Sequence, residues 1–244
     1  MKDIELIKGD CLEVMKDIKD KSIDMILCDL PYGTTNCKWD TIINLELLWE
    51  QYCRIIKDNG AILLFAQTPF DKVLGCSNLK MLRYEWIWEK TQATGHLNAN
   101  KMPMKAHENI LVFYKNVPVY NPQMTEGHSP VHSYNKKIEI QNRTDIYNKV
   151  NKSISGGGST IRFPRSIQIF SSDKQKLKLH PTQKPVKLLE YLIKTYTNTG
   201  QVVLDNCFGS GSTAVACINT NRKFKGIEKN EKFFNITKER IDKY

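Results

Sequence analysis

The segment Val202–Thr213 constrains the fold of this chain more than any other part of the sequence. Its first four residues, Val202–Asp205, form an apolar run with an acidic end, which is typical of a buried strand. Ser212–Asn219 has the pattern of a helix, and the turn between them is Phe208–Gly211, whose glycines let the backbone approach a bound molecule closely. A strand, a glycine-rich turn and a helix in this order predict an α/β fold with a ligand at the carboxyl end of the strand.

The same pattern extends over both ends of the chain and predicts a mostly parallel, Rossmann-like sheet with helices on both faces. The helical pattern that begins at Leu45 is predicted to end at the Asn59-Gly60 turn. Short apolar runs predict the other strands, and amphipathic periodicity predicts the other helices. The predicted strands are Ile4–Ile7, Ile23–Cys28, Ala61–Phe65, Ile110–Tyr114 and Lys225–Glu228, and the further helices are Pro185–Tyr196 and Glu231–Ile241.

The middle of the chain is polar, basic and without clear periodicity. Lys and Arg outnumber Asp and Glu by 36 to 26 in the whole chain, a net charge of +10. Between Lys136 and Lys178 there are ten basic and three acidic residues, so this stretch holds seven of those ten charges. An excess of positive charge favours a polyanionic partner. We therefore predict a catalytic half (residues 1–115), an inserted basic target-recognition region (116–179) and a cofactor-binding half (180–244).

Cysteine usage and the amino-terminal residues bear on the compartment. The seven cysteines are scattered and form no C-x-x-C pair, which argues against a zinc or redox site. The first residues do not resemble a signal peptide, and no apolar run is long enough to span a membrane. We expect a reduced, cytoplasmic protein that binds no metal and no membrane.

Asp29-Leu30-Pro31-Tyr32-Gly33 follows a predicted strand, where open α/β sheets bind their ligands. Asp, Pro and Gly are also ordinary turn residues. The chemistry that fits the segment is activation of an exocyclic amine. A carboxylate and a backbone carbonyl can each accept one N–H and aim the nitrogen lone pair at an electrophile. The Tyr32 ring could then stack on a base that has left the duplex.

The glycine-rich turn also permits the hypothesis of a nicotinamide-dependent enzyme. Gly209-x-Gly211-x-x-Ala214 satisfies the dinucleotide fingerprint, and Glu228 follows Gly209 by 19 residues. Asp205 argues against this hypothesis, because its negative charge would lie close to the negative pyrophosphate. The position of the motif, late in the chain and after a basic insert, also argues against it.

Taken together, these segments resemble the β class of amino-methylating DNA methyltransferases. In that family a D-P-P-Y motif comes first, the target-recognition region second and an F-x-G-x-G motif last. Three further segments resemble its G-D-C, H-P-T-x-K-P and acidic-strand elements, and one resembles the strand that closes the active-site side. They are Gly9-Asp10-Cys11, His180–Pro185, Gly226-Ile227-Glu228 and His107–Phe113, respectively.

The resemblance implies an S-adenosylmethionine-dependent enzyme that methylates N6 of a flipped adenine in double-stranded, sequence-specific DNA, as in restriction–modification. The catalytic residues implied are Asp29, Leu30, Pro31 and Tyr32. The cofactor-binding residues implied are Asp10, Cys11, Asp29, Thr182, Lys184, Asp205, Phe208, Gly209, Gly211, Ser212, Glu228 and Lys229. The expected DNA contacts are Lys38 in the loop Thr34–Trp39, and Lys136, Lys137, Arg143, Arg162 and Arg165 in the basic region.

Several alternatives stay open. The family usually has proline where this chain has Leu30, which removes a preset φ angle but not the backbone carbonyl. N4 of cytosine is the alternative target, although Asp at position 29 is typical of the adenine enzymes. A non-catalytic DNA-binding relative and an RNA substrate are further alternatives. Because relatives often dimerise, a homodimer is expected by resemblance alone.

Overall fold

A computed structural model describes residues 3–33, 41–136, 154–172 and 183–244. Ten strands and six helices are defined in these ranges. The strands are β1 (Ile4–Lys8), β2 (Ile23–Asp29), β3 (Ile56–Ala66), β4 (Leu82–Thr94), β5 (Lys105–Phe113), β6 (Tyr134–Lys136), β7 (Ile154–Gly156), β8 (Ile167–Phe170), β9 (Val202–Asp205) and β10 (Lys223–Glu228). The helices are α1 (Cys11–Val14), α2 (Leu45–Ile55), α3 (Phe70–Ser77), α4 (Val186–Tyr196), α5 (Ser212–Asn219) and α6 (Glu231–Ile241).

Eight of the strands form one sheet in the order β1-β10-β9-β2-β3-β5-β4-β8. All neighbours in it pair in parallel except β5, which is antiparallel to both β3 and β4. The carboxyl ends of β1, β10, β9, β2, β3 and β4 therefore lie along the same edge, together with the first residues of β5. This arrangement confirms the predicted mostly parallel α/β sheet.

The strand β2 shows how the sheet is covered on both faces. Its residues alternate between two apolar clusters, with Ile26 and Cys28 in one and Met25 and Leu27 in the other. Helices α2 and α3 contribute to the first cluster, and α4 and α5 contribute to the second. A strand that is buried on both sides is expected at the centre of a doubly wound sheet. The core is therefore continuous through the strand that carries Asp29.

The predicted end of the second helix is wrong. Helix α2 ends at Ile55, and Asn59-Gly60 lies inside β3 instead of in a turn. The pairing of β2 with β3 shifts register between Ile23 and Met25. A Cβ atom on Gly60 would lie 2.9 Å from the carbonyl oxygen of Asp24. The glycine therefore permits a close approach of two strands, which its sequence neighbours do not reveal.

The compact unit in the middle of the chain is shorter than the predicted inserted region, residues 116–179. Residues Pro122–Arg165 cluster as a separate compact unit, whereas β8 pairs with β4 and belongs to the main sheet. In the separate unit, β6 pairs with β7 and Thr125 forms a bridge with Arg162. None of the described helices is long and apolar enough to cross a membrane.

Candidate active site

A cavity of about 960 Å³ opens at the carboxyl edge of the sheet. The strand ends that surround it carry both predicted motifs. Its wall includes Asp29 to Tyr32 from the end of β2 and Asp205 to Ser210 from the end of β9. Two segments far apart in the sequence therefore line one cavity, because β2 and β9 are neighbours in the sheet.

The glycine-rich turn is held against the closing helix α6. Thr237 donates a hydrogen bond to the carbonyl oxygen of Gly209 (2.8 Å), and Arg240 donates one to the carbonyl oxygen of Ser210 (2.8 Å). Gly211 precedes α5 with φ of +74°, and an added Cβ would lie 2.4 Å from Cγ2 of Thr237. Gly211 is absent from the residues that line the cavity. The structure thus gives Gly211 a packing role against Thr237, and its cofactor contact stays a prediction.

Two acidic residues of the glycine-rich side are fixed by hydrogen bonds. Asp205 accepts from the Thr213 hydroxyl (2.6 Å) and from the backbone N–H of Cys207 (3.1 Å). Glu228 accepts from the backbone N–H groups of Gly209 (2.9 Å) and Asn230 (2.7 Å). Burial raises the pKa of Asp205 to about 7, and burial also raises the pKa of Glu228. A positive charge nearby would therefore stabilise the ionised form of both carboxylates.

The other predicted cofactor residues in the described ranges also line this cavity. Asp10 caps α1 through the Leu12 N–H (3.0 Å), and its second oxygen lies 3.0 Å from the ammonium group of Lys229. The hydrogen bond from Lys229 lowers the pKa of Asp10. Cys11, Phe208 and Ser212 are buried at the cavity wall. Thr182 and His180 lie outside the described residues.

The segment after β2 places its side chains in different environments. The Asp29 carboxylate faces the cavity, and the Tyr32 hydroxyl donates to its Oδ1 over 2.5 Å. The Tyr32 ring stacks on Phe70, with ring centroids 5.4 Å apart. The Leu30 side chain is buried in the core. Core packing therefore anchors the position where the family usually has proline.

Lys184 also lines the cavity, and its ammonium group pairs with two carboxylates. Its ammonium group lies 2.8 Å from Oδ2 of Asp29 and 3.0 Å from Oε2 of Glu108. The ammonium group of Lys90 lies 2.6 Å from Oε1 of the same glutamate. We call Lys90, Glu108, Lys184 and Asp29 the ion network. It places the Asp29 carboxylate at the end of a row of alternating charges.

The predicted site residues do not include Lys90, Glu108 and Gln183, which are buried polar residues of this cavity. One signal was available for Lys90, because strand alternation puts it on the same face as the buried Trp86 and Trp88. A charged residue on an apolar strand face indicates a buried partner. Gln183 is buried, and neither end of its side-chain amide has a hydrogen-bond partner among the described residues. Gln183 stands in the segment His180–Pro185, at the variable position of the element that this segment resembles.

The predicted DNA contacts are described only in part. Lys38, Lys137 and Arg143 lie outside the described residues, and Lys136 and Arg165 belong to the unit Pro122–Arg165. The Arg162 guanidinium donates to the backbone carbonyls of Ser129, Ser159 and Ile161. These bonds hold two segments of that unit together, so the structure gives Arg162 a structural role. Within the described ranges, no group of three or more His, Cys, Asp or Glu residues could hold a metal ion.

Comparisons with known proteins identify the family. Residues 23–239 match the family model of N6- and N4-type methyltransferases, described as DNA methylase. Type II methyltransferase M.HpaI of Haemophilus parainfluenzae is 28% identical over 98% of this chain and 74% of its own length. DNA adenine methyltransferase YhdJ of Escherichia coli is 27% identical over 97% of this chain and 82% of its own length.

The fold is shared with a solved structure of a related kind. The complex of M1.HpyAVI with S-adenosylmethionine superposes with a TM-score of 0.67 at 24% identity, over 98% of this chain and 99% of that one. The family match spans both sides of the cavity, from β2 to α6. This chain therefore belongs to the DNA methylase family of S-adenosylmethionine-dependent enzymes that methylate exocyclic base amines.

Proposed function

We propose that this protein methylates N6 of adenine in double-stranded DNA at a specific sequence, with S-adenosylmethionine as the methyl donor. The observation that carries the proposal is that the Asp29 carboxylate shares one cavity with the glycine-rich turn and its fixed acidic residues. An amine held at Asp29 is then within the same enclosed space as a cofactor held at Gly209. One relative, DNA adenine methyltransferase YhdJ, is named for adenine, which supports adenine over cytosine.

The residues of the cavity suit S-adenosylmethionine. When bound, this cofactor supplies an electrophilic methyl group on a cationic sulfonium. The buried carboxylates of Asp205 and Glu228 favour a ligand with positive charge or hydrogen-bond donors, such as hydroxyl and amino groups. Gly209, between them, leaves the backbone open to close approach. The proposed cofactor contacts are therefore Asp10, Cys11, Asp205, Phe208, Gly209, Ser212 and Glu228, with Lys229 holding Asp10.

The catalytic segment orients the target amine. One N–H of the adenine amine donates to the Asp29 carboxylate and the other donates to the carbonyl of Leu30. These two acceptors localise the nitrogen lone pair and direct it toward the cofactor side of the cavity. Tyr32 offers its ring face to the base, and its stacking on Phe70 supports that orientation. The proton leaves the nitrogen after the methyl group has transferred, so the chain needs no strong base.

The hairpin loop Gly95–Met104 is suited to meet the duplex. It joins β4 to β5 at the cavity rim, where Thr94 pairs with Lys105 and both line the cavity. Leu97 is 97% exposed, and Met102 is also exposed. Residues 95–105 contain two lysines, Lys101 and Lys105, and no acidic residue. Basic groups bind phosphates, and apolar side chains inserted between base steps open the stack. We infer that this loop enters the DNA beside the flipped base.

A Leu97→Ser variant is expected to methylate a fully paired duplex about tenfold more slowly than the wild type, because unstacking a base costs a few kcal/mol. The loss should be recovered when the target adenine lies opposite a mismatch or an abasic site. Initial rates on the paired and mispaired oligonucleotides measure both effects. Leu79→Ser is the matched control, since Leu79 is also exposed but precedes β4 at the opposite edge of the sheet. Equal losses on both substrates would contradict a role of Leu97 in opening the stack.

Long-read sequencing of DNA from cells that express the chain tests the proposed function directly. We expect N6-methyladenine within one short sequence, absent from cells with the empty vector. N4-methylcytosine in its place would establish the alternative target of the family. An unmodified genome, together with no methyl transfer to purified DNA, would leave a non-catalytic DNA-binding protein.

The remaining expectations belong to the same proposal. A homodimer, a partner endonuclease of a restriction–modification pair and a cytoplasmic location are each consistent with relatives named as type II methyltransferases. The basic residues Lys38, Lys136, Lys137, Arg143, Arg162 and Arg165 remain proposed contributors to the electrostatic attraction of DNA.

A further inference from the structure

Lys184 is a buried lysine whose ammonium group lies between two carboxylates. Nζ is 2.8 Å from Oδ2 of Asp29 and 3.0 Å from Oε2 of Glu108, and the side chain of Lys184 is 8% exposed. Lysine is almost never buried this far unless it is paired, because removing an ammonium group from water is costly. The two carboxylates account for its burial.

The other half of the ion network fixes Glu108. Its Oε1 lies 2.6 Å from the ammonium group of Lys90, and both side chains are 6% exposed. Lys90 lies in β4 and Glu108 in the neighbouring β5, so both are held by the sheet. The four charges alternate in sign and sum to zero. Alternation stabilises each carboxylate in its ionised form, because each one is adjacent to at least one cation.

We propose that Lys184 is a positioning residue that keeps the Asp29 carboxylate ionised and aimed at the target amine, and that Glu108 and Lys90 hold Lys184 in place. The inference rests on the proposed amine methylation, which requires an anionic acceptor at Asp29. It differs from the role that the family resemblance implies for Lys184, a contact to the methionine end of the cofactor. The first role affects the transfer step, whereas the second affects cofactor affinity.

Electrostatics supports the positioning role. Burial raises the pKa of the Asp29 carboxyl, and the charge of Lys184 acts against that rise. The Glu108 charge adds to the rise, while the Tyr32 hydroxyl opposes it. Burial alone would lower the pKa of Lys184, but the two carboxylates outweigh burial and raise it. Lys184 is therefore protonated throughout the range in which Asp29 titrates.

Glu108 keeps its ionised form as well. Burial alone would raise the pKa of Glu108, but Lys184 and Lys90 hold that pKa at about 2. Two further titratable neighbours, Cys28 and Asp205, interact electrostatically with Asp29. Neither supplies positive charge. Among the described residues, Lys184 is therefore the cation on which the ionised state of Asp29 depends.

A Lys184→Met variant is expected to shift the acid limb of the methylation pH profile upward by about 1–3 units, because the opposite charge beside the carboxylate is lost. Activity needs the carboxylate, which is present above its pKa and lost as the pH falls through it. A higher pKa therefore moves the limb to higher pH, and turnover should recover in alkaline buffer. Affinity for S-adenosylmethionine should stay near that of the wild type.

Three comparisons make the test specific. Lys187→Met is the matched control, because it removes the same charge from an exposed lysine three positions along the chain. Adding Glu108→Gln to Lys184→Met should move the limb back toward lower pH by removing the adjacent negative charge. Carbon-13 NMR of the Asp29 carboxyl in the cofactor-free protein should show the same upward pKa shift, independently of any methyl transfer.

An unchanged Asp29 titration with cofactor affinity weakened tenfold or more would overturn the inference and establish Lys184 as a cofactor contact. If Lys184→Met does not fold, Lys184→Gln is measured in the same way, since its amide keeps a donor without the charge. An upward NMR shift in Lys184→Met, combined with no methyl transfer by the wild-type protein, would support the inference and contradict the proposed function.

Discussion

An Asp29→Ala variant is expected to lose methylation by about two to three orders of magnitude, while it still binds S-adenosylmethionine. The carboxylate is one of the two proposed acceptors of the target amine, and the neighbouring carboxylate of Glu108 is engaged by Lys184 and Lys90. Its oxygens already lie 2.5 Å from the Tyr32 hydroxyl and 2.8 Å from the Lys184 ammonium group. The ammonium group cannot accept an N–H, and the neutral Tyr32 hydroxyl is a weaker acceptor than an ionised carboxylate. Single-turnover rates with saturating DNA measure the loss, and calorimetry measures cofactor affinity.

Asp58→Ala is the control for that experiment. Asp58 is an exposed aspartate of β3 that pairs with Lys21 (2.8 Å), away from the residues that line the cavity. Its removal should leave turnover unchanged. Asp29→Asn adds a second comparison, because the amide keeps the shape of the side chain without its charge. Turnover near the wild-type level in Asp29→Ala would refute the proposed mechanism.

The second large effect is expected at Gly211, where a Gly211→Ala substitution should lower the free energy of unfolding by about 2–5 kcal/mol. About 1–2 kcal/mol comes from placing a side chain in the left-handed region. A further 1–3 kcal/mol comes from overpacking against Thr237 at 2.4 Å. Because Thr237 also bonds the carbonyl of Gly209, its displacement should weaken cofactor binding as well. Urea denaturation and cofactor titration measure the two losses.

Gly200→Ala separates the two contributions. Gly200 has a similar φ of +81°, but an added Cβ there has no atom within 4 Å. This variant should carry only the backbone cost of about 1–2 kcal/mol and bind cofactor normally. If the two variants lose equal stability, the close contact between Gly211 and Thr237 makes no energetic contribution.

Local patterns were sufficient to predict most of the sheet and both motifs. Predicted and observed bounds agree for Val202–Asp205, Ser212–Asn219 and Glu231–Ile241. Each of these segments buries one face or both faces, so its apolar periodicity reflects its environment directly. The meeting of Asp29 with the glycine-rich turn followed from a rule about strand ends, not from any local pattern.

The ion network could not be predicted in the same way. Lys90, Glu108 and Lys184 come from two strands and from the segment before α4, and their contacts depend on the antiparallel register of β4 and β5. Single-sequence periodicity carries no information about that register. The family resemblance implied a cofactor contact for Lys184, because that residue was identified only as part of the segment His180–Pro185. The structure shows that its charge is directed toward Asp29.

The pairing of β2 with β9 also has a consequence for biosynthesis. Val202 donates its N–H to the Asp24 carboxylate over 2.9 Å, although the two residues are 178 positions apart. Strand β10, which supplies Glu228, comes later still. A nascent chain that has just exposed Asp29 outside the ribosome therefore lacks the strands beside it. The cavity can form only after nearly all of the sheet has emerged. Ligand binding therefore indicates that folding is complete, because a partly synthesised chain lacks part of the cavity wall.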